Sequence, residues 1–276
     1  MRGLRHFFRN PSAVIGLLIL LGVVAMALGA DAAYPRDPLR IVGPPELWPF
    51  ENPRFPLGTD TLGRDIASIV AHGARTTLVI GIAACAAAML VGVTAGALAG
   101  FHGGRIDHGV MFVTELFQTI PNLILVLTVV SILGPALVNI IAAIALASWT
   151  PIARLTRAEF MALREREFVQ ACRALGMRPL RLIVREILPN ALPPVVVYSS
   201  LVVAGAILFE SAVSFLALGD PNRASWGRLV GEGRELIRTS WYICAVPGVA
   251  IMLTVLALNL IGDGLNDALN PKLRER

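Results

Sequence analysis

Five long stretches of the sequence contain no charged residue, and they restrict the possible folds more than any other feature. They cover residues 11–30, 76–104, 116–153, 187–209 and 239–262. A helix needs about 20 residues to cross the ~30 Å hydrocarbon core of a bilayer, so each stretch is long enough to span a membrane. Since 55% of all residues are hydrophobic and only 16% are charged, the composition excludes an ordinary water-soluble domain.

The third stretch is too long for one span. As a straight helix, residues 116–153 would extend about 57 Å, and Gly134-Pro135 near its middle predicts a break. A β-barrel is excluded because residues 78–98 are apolar or small on every face, whereas barrel strands alternate. We therefore predict an all-α integral membrane protein with six transmembrane helices. Their predicted positions are about 11–31, 76–100, 109–133, 137–157, 193–218 and 240–262.

The distribution of basic residues predicts the orientation in the membrane. Of the 24 Lys and Arg residues, 15 fall on one side of the predicted bundle: Arg2, Arg5, Arg9, Arg105, eight arginines within residues 154–185, Lys272, Arg274 and Arg276. Cytoplasmic loops carry such an excess, so both termini are predicted to be cytoplasmic. The net charge of +5 could indicate nucleic-acid binding in a soluble protein, but here the distribution of the charge indicates orientation in the membrane, and no nucleic-acid partner is expected.

The first apolar stretch also has features of a signal peptide. Its 20 uncharged residues exceed the usual 7–15 residue core of such a peptide. Asn10-Pro11 fits a helix cap followed by proline at the first helical position. We therefore expect the first stretch to be retained as a transmembrane helix.

Two segments outside the spans look ordered. Residues 31–75 are polar, rich in proline and contain Trp48, Phe50 and Phe55, which predicts an external cap that either closes a pore or receives a binding protein. The chain is thus divided into residues 1–75, comprising the N-terminal tail, first helix and external segment, and a five-helix core over residues 76–276. That core includes an amphipathic, arginine-rich loop at about 154–190, predicted as a helix–turn–helix with its turn at Gly176 and Pro179.

The second predicted span carries a small residue at every fourth position: Ala84, Ala88, Gly92, Gly96 and Gly100. A four-residue period places these side chains on one face of a helix. Small residues let the backbones of two membrane helices approach closely. The pattern therefore predicts that a second span packs tightly against this face.

The arginine-rich loop resembles the coupling loop of ABC importer permeases. The motif of that family begins with Glu-Ala-Ala, followed after three residues by Gly. Nine residues later comes Ile, and after one more residue Leu-Pro. The same spacing occurs here at Gln170-Ala171-Cys172, Gly176 and Leu188-Pro189. Gln170, Cys172 and Glu186 depart from the pattern. In the family this loop docks on an ATPase subunit, so the resemblance implies that these residues are the ATPase-coupling set: Glu167, Gln170, Ala171, Cys172, Leu175, Gly176, Met177 and Arg178.

A second match narrows the subfamily. Residues 56–65 and 73–78, with Ser225-Trp226-Gly227, are similar to permeases of the dipeptide, oligopeptide and nickel importers. The resemblance implies a type I ABC importer permease fold with cytoplasmic coupling helices, in the bacterial cytoplasmic membrane. The implied partners, besides lipid, are a homologous second permease, two cytoplasmic ATPases and an extracytoplasmic solute-binding protein. ATP and Mg²⁺ would bind those ATPases, and this chain would bind no cofactor and catalyse no reaction.

Two further groups of residues are candidates for function. Ionisable groups within spans are costly and often functional, so Glu115, Gln118 and Glu210 are predicted to line the substrate path; alternatively, the acids are paired with arginines or lie near a membrane interface. The external signature is interpreted as structural or as a receptor contact, and it consists of Gly58, Thr59, Asp60, Gly63, Arg64 and Asp65. Neither the cysteines nor the histidines are spaced as a metal site.

The function expected from these features is ATP-driven import of di- or oligopeptides. The only lysine, Lys272, follows a proline and cannot belong to the phosphate-binding motif Gly-x-x-x-x-Gly-Lys-Ser/Thr, so the ATPase must be a separate chain. The alternatives are a self-sufficient secondary transporter and an ABC permease for nickel or another small solute. An intramembrane enzyme is disfavoured because the sequence lacks His-Glu-x-x-His and Gly-x-Ser-x-Gly motifs.

Overall fold

A computed structural model describes residues 7–8 and 10–269 as an almost entirely helical chain. Its helices are α1 (Pro11–Ala33), α2 (Ile66–His102), α3 (Gly104–Thr119), α4 (Asn122–Leu133), α5 (Leu137–Arg164), α6 (Glu167–Ala174), α7 (Pro179–Leu182), α8 (Leu188–Phe215), α9 (Trp226–Gly233) and α10 (Tyr242–Leu269). A π-helical turn over Ile183–Ile187 joins α7 to α8. The predicted all-α class is confirmed. The basic residues Arg2, Arg5, Arg9, Lys272, Arg274 and Arg276 lie outside the described residues.

Five of the described helices are long and apolar enough to cross a membrane: α1, α2, α5, the continuous helix from α7 through α8, and α10. The consecutive helices α3 and α4 pass the same test only as a pair, and they are bent by 85° relative to each other. The six predicted spans therefore agree with the structure when this bent pair is counted as one broken span.

The third predicted span is wrong as a single straight helix over residues 109–133. α3 ends at Thr119 and α4 begins at Asn122. Pro121 has no N–H group to continue the helical hydrogen bonds, and it disfavours the helical conformation of the residue before it. Ile120 is accordingly extended, with φ −90° and ψ 125°. The predicted break at Gly134-Pro135 is confirmed, because α4 ends where Gly134 adopts φ +89°.

Local capping explains where two of the long helices begin. The Asn10 side chain accepts hydrogen bonds from the backbone N–H groups of Ser12 and Ala13, as the sequence predicts for the start of α1. Asp65 caps α2 in the same way. As a result, α2 begins ten residues before the predicted second span. Its first turns lie within residues 31–75, which the sequence predicts as an external segment.

The small-residue face of α2 packs directly on α5, which confirms the predicted tight approach. Ala84, Ala88 and Gly92 are buried. A Cβ atom added to Gly92 would lie 2.7 Å from Ile152 Cβ, and one added to Gly96 would lie 2.3 Å from the Ala153 carbonyl oxygen. These distances leave no room for a larger side chain, so the glycines set the separation of α2 and α5.

The two ends of the helix bundle differ. At one end, which we call the cap end, residues 34–65 form a cap over the start of α2 and α10. At the other, the loop end, residues 165–187 follow α5. The cap is joined to the bundle by hydrogen bonds, since Tyr242 Oη donates to the Thr59 carbonyl and Ser240 Oγ donates to Glu46. Trp226 Nε1 donates to the Val70 carbonyl and fixes α9 against α2.

Candidate coupling loop and transport path

The loop after α5 contains a short helix, α6, that is closed by a left-handed glycine. Gly176 has φ +80°. Its N–H group donates to the Arg173 carbonyl, and the N–H group of Met177 donates to the Cys172 carbonyl. These two hydrogen bonds form the Schellman arrangement that commonly ends a helix. Pro179 then begins α7, so the predicted turn between two helices is confirmed. Residues 154–164, predicted as part of the loop, instead continue α5.

One face of the loop is held against the bundle. Val169 is fully buried and belongs to an apolar cluster with Phe160, Leu182, Ile187 and other side chains of α2, α5 and α8. Cys172 and Met177 pack at the edge of this cluster. The loop is thus a packed element whose position depends on α2, α5 and α8.

The other face of the loop exposes four large apolar side chains, Phe168, Leu175, Leu180 and Val184, which we call the loop patch. Leu175 is 87% exposed and Leu180 is 72% exposed. Glu167, Ala171 and Arg178 are exposed beside them. Apolar side chains exposed next to charged residues at one end of a helix bundle are typical of a surface that binds another protein.

Gln170, which departs from the family motif, has a structural role. Its side-chain amide donates a 3.0 Å hydrogen bond to the Arg164 carbonyl at the end of α5. The carbonyl groups in the last turn of a helix have no partner within that helix. A glutamate, which only accepts hydrogen bonds when ionised, could not make this contact, so the glutamine suits this chain.

The three predicted path residues have different surroundings in the structure. Glu115 is exposed on α3. The Gln118 side chain, one turn further along α3, accepts a 2.7 Å hydrogen bond from Arg154 of α5. Glu210 lies far from both in sequence, and it is only 1% exposed.

Glu210 links α8 to α9. Its Oε1 atom accepts hydrogen bonds of 2.8 Å from Ser214 and from Ser225, the residue that caps α9. Its Oε2 atom has no hydrogen-bond partner among the described residues. None of the ion pairs between described residues joins Glu210 to an arginine. In this conformation Glu210 is therefore a buried connection between two elements at the cap end.

The external signature forms a buried ionic network. The two glycines, Gly58 and Gly63, have positive φ angles of 79° and 77°. Thr59 Oγ1 donates to the Pro44 carbonyl and accepts from the Leu47 N–H group. Asp60 accepts from the backbone and the guanidinium of Arg64. Since Asp60 and Arg64 are 0% and 4% exposed, their side chains stabilise the cap.

Asp65, the last residue of the signature, caps α2 from a partly buried position. Its carboxylate accepts from the Ala67 N–H group at 3.0 Å. Burial raises the pKa of this carboxyl, while the backbone hydrogen bonds act in the opposite direction. The predicted signature residues therefore come together as a structural unit at the start of α2.

Sequence reasoning missed several ionic contacts, including some between distant elements. Arg157 of α5 makes a two-pronged contact with Asp107 of α3, with 2.6 Å between Nη2 and Oδ2. Glu232 of α9 pairs with Arg64 and with Arg228. The Asp107–Arg157 and Arg64–Glu232 contacts span 50 and 168 residues, and the sequence offers many equally plausible charge pairs, so no local pattern identifies them.

Comparison with known proteins agrees with this fold. Residues 92–275 match the family model described as "Binding-protein-dependent transport system inner membrane component". Residues 2–45 match the "N-terminal TM domain of oligopeptide transport permease C". The fold is similar to a chain of the MetNI methionine ABC transporter, with a TM-score of 0.58 and 19% identity, covering 72% of this chain and 94% of that one.

Relatives extend over almost the full sequence. The chain is 40% identical to the "Di/tripeptide transport system permease protein DppC" of Pseudomonas aeruginosa, covering 98% of this chain and 91% of the relative. It is 36% identical to the "Dipeptide transport system permease protein DppC" of Alkalihalophilus pseudofirmus, covering 96% and 88%. It is 34% identical to the "Glutathione transport system permease protein GsiD" of Pectobacterium atrosepticum, covering 98% and 90%. The chain therefore belongs to the binding-protein-dependent transport system inner membrane components, as a permease subunit of the dipeptide, oligopeptide and nickel importer subfamily.

Proposed function

We propose that this chain forms one half of a pore that imports short peptides across the bacterial cytoplasmic membrane. The relatives named above are called permeases for dipeptides, di- and tripeptides, and glutathione, which is itself a tripeptide. In this arrangement both termini and the loop end face the cytoplasm, and the cap faces outward. A solute-binding protein delivers the peptide on the cap side.

The observation that carries the ATP-driven part of the proposal is the loop patch. Leu175 and Leu180 are largely exposed to solvent, although the loop that holds them is packed on three transmembrane helices. A partner that binds this patch can move the bundle as a rigid body. We propose two separate ATPase subunits as that partner, with ATP and Mg²⁺ bound to them. The absence of a phosphate-binding lysine motif from this sequence supports that division of roles.

The exposed face of α3 supports a second permease as the other half of the pore. Phe112 and Leu116 are more than half exposed there, and Glu115 lies between them with no ion-pair partner among the described residues. A charged side chain facing lipid is costly. This face is better covered by a homologous subunit, with Glu115 facing a water-filled path between the two chains.

Co-expression with candidate ATPase and permease partners tests the proposal. We expect the assembled complex to take up a labelled dipeptide into proteoliposomes only when ATP is present. Leu175→Glu should weaken ATPase retention at least about tenfold, because it places a charge at an apolar contact. Leu62→Glu, at an exposed leucine of the cap, is the matched control and should retain the ATPases.

Three results would contradict parts of this proposal. Unchanged ATPase retention by Leu175→Glu would remove the loop patch as the docking surface. Uptake by the purified chain alone, driven by an ion gradient, would favour a secondary transporter. Uptake of Ni²⁺ but of no peptide would support a permease function and contradict a peptide substrate.

A further inference from the structure

A cavity of about 520 Å³ lies at the cap end, where α1 meets the cap. Three arginines line it, Arg36, Arg40 and Arg54, and the aromatic residues Tyr34 and Phe55 form part of its wall. The transport function proposed above does not use this cavity. Its composition, with several cations beside aromatic rings in a concave surface, is that of a site for an anionic ligand.

The three arginine side chains have no partner among the residues that the structure describes. No carboxylate among the described residues forms an ion pair with any of them, and none of their guanidinium groups makes a hydrogen bond there. The cavity also contains Asp37 and Asp65, but both carboxylates are engaged by backbone N–H groups, of Leu39 and Ala67 respectively. Three arginines against two aspartates leave the cavity lining with a net positive charge, which favours binding of an anion.

The cavity begins where the apolar helix α1 ends. The first charged residue of α1 is Asp31, which pairs with Arg75 at 2.9 Å, and Ala33 already belongs to the cavity wall. The change from uncharged to charged residues marks the boundary of the hydrocarbon core. The arginines are therefore at the depth of the lipid headgroups in the leaflet on the cap side.

α1 has an exposed apolar face near the end that adjoins the cavity. The side chains of Leu21, Ala25, Leu28 and Ala32 are exposed and share one helix face by their spacing of four, three and four residues. No described part of the chain covers them. An acyl chain fits such a face, whereas a soluble anion or an acidic protein loop would use only the arginines above it.

We propose that the cavity binds the phosphate-bearing headgroup of an anionic phospholipid from the cap-side leaflet. The guanidinium groups of Arg36, Arg40 and Arg54 contact the headgroup, and the exposed face of α1 contacts the acyl chains. A guanidinium can form two parallel hydrogen bonds to phosphate oxygens. This assignment depends only on the membrane-spanning fold, and it is independent of the transported solute.

Lipid retention by the purified full-length chain tests the assignment. Native mass spectrometry would compare phosphatidylglycerol with phosphatidylcholine of identical acyl chains. We expect the chain to retain phosphatidylglycerol preferentially. The triple variant Arg36→Gln, Arg40→Gln, Arg54→Gln should reduce that preference on the order of tenfold to a hundredfold, since each basic residue near an anionic lipid surface contributes to binding. Each single variant should give a partial loss.

Two controls distinguish a specific lipid site from a general effect of positive charge and from a loss of folding. Arg238→Gln, at an exposed arginine outside the cavity, should keep the full preference, and the unfolding midpoint of the triple variant should match that of the unmodified chain. The assignment is overturned if the triple variant keeps its preference, or if Arg238→Gln loses it equally. It is also overturned if millimolar inorganic phosphate displaces the lipid, since the ligand would then be a soluble anion.

Discussion

Arg64 and Glu232 form a salt bridge between the cap and α9, although they are 168 residues apart in the sequence. Arg64 also pairs with Asp60, which is completely buried. One guanidinium therefore compensates two carboxylates, and its loss would leave Asp60 as an isolated charge inside the protein.

Arg64→Ala is predicted to destabilise the folded chain by about 3–5 kcal/mol, because breaking a buried pair leaves an uncompensated charge. Unfolding in detergent micelles would measure this loss. Glu232→Gln should cost less, since Glu232 is 24% exposed and water can replace part of its contact. Equal stability of Arg64→Ala and the unmodified chain would show that the network does not hold the cap.

Gly96→Leu is predicted to separate α2 from α5. Even a single Cβ atom at Gly96 would meet the Ala153 carbonyl oxygen at 2.3 Å, and forcing extra volume into a packed interface typically costs about 1–3 kcal/mol or more. The unfolding midpoint and the yield of monodisperse protein would report the effect. Gly22→Leu is the control, because nothing lies within 4 Å of its added Cβ atom; similar losses for both variants would contradict the close packing.

The stability contributed by Asp65 is predicted to depend on pH. The pKa of this carboxyl is raised by burial, so the folded chain binds the proton more tightly than the unfolded chain does. Stability from this group is therefore fully present below the ordinary aspartate pKa of about 3.9 and decreases as pH rises through the folded-state pKa.

Two variants at position 65 separate ionisation from capping. Asp65→Asn keeps a cap residue but removes the charge, so its stability relative to the unmodified chain should rise as the pH increases above about 4. Asp65→Ala should lose about 1 kcal/mol of capping stability. Free energies of unfolding measured across this range would check both, and a pH-independent difference for Asp65→Asn would argue against the raised pKa.

Gly176→Pro is predicted to uncouple ATP hydrolysis from transport in the assembled importer. Proline fixes φ near −65°, whereas Gly176 has φ +80° and donates its N–H group to Arg173. Gly176→Asn, which tolerates the left-handed conformation, should retain most of the uptake. Parallel measurements of ATPase rate and dipeptide uptake would distinguish the two, and a fully active proline variant would count against the coupling role of this turn.

Glu115→Gln is predicted to slow uptake without disturbing assembly. The Glu115 side chain is exposed on α3 and forms no ion pair among the described residues, so the fold should tolerate the change. Uptake should fall several-fold if the carboxylate faces the path of a charged peptide terminus. Glu235→Gln, at a paired and 82% exposed position near the cap, is the control; unaltered uptake by Glu115→Gln would remove Glu115 from the path.

Much of the fold follows from local sequence features. The uncharged stretches predict the spans, the four-residue repeat from Ala84 to Gly100 predicts the face on which α5 packs, and Gly176 with Pro179 predicts the turn in the loop. The kink at Pro121 is also encoded locally, because proline lacks the N–H group that helix continuation needs. The length of the uncharged stretch 116–153 does not predict this kink, because a single break at Gly134-Pro135 is enough to divide the stretch into two spans.

The tertiary structure alone decided which distant groups meet. Glu210 was a candidate for the substrate path by sequence, but the fold buries it against Ser214 and Ser225. Arg36 and Arg54 have no special spacing, yet the cap brings both to one cavity at the end of α1. Hydrophobic stretches and helix caps depend on residues close together in the sequence, so they can be predicted from it. The pairing of distant charges depends on how whole helices and the cap pack together.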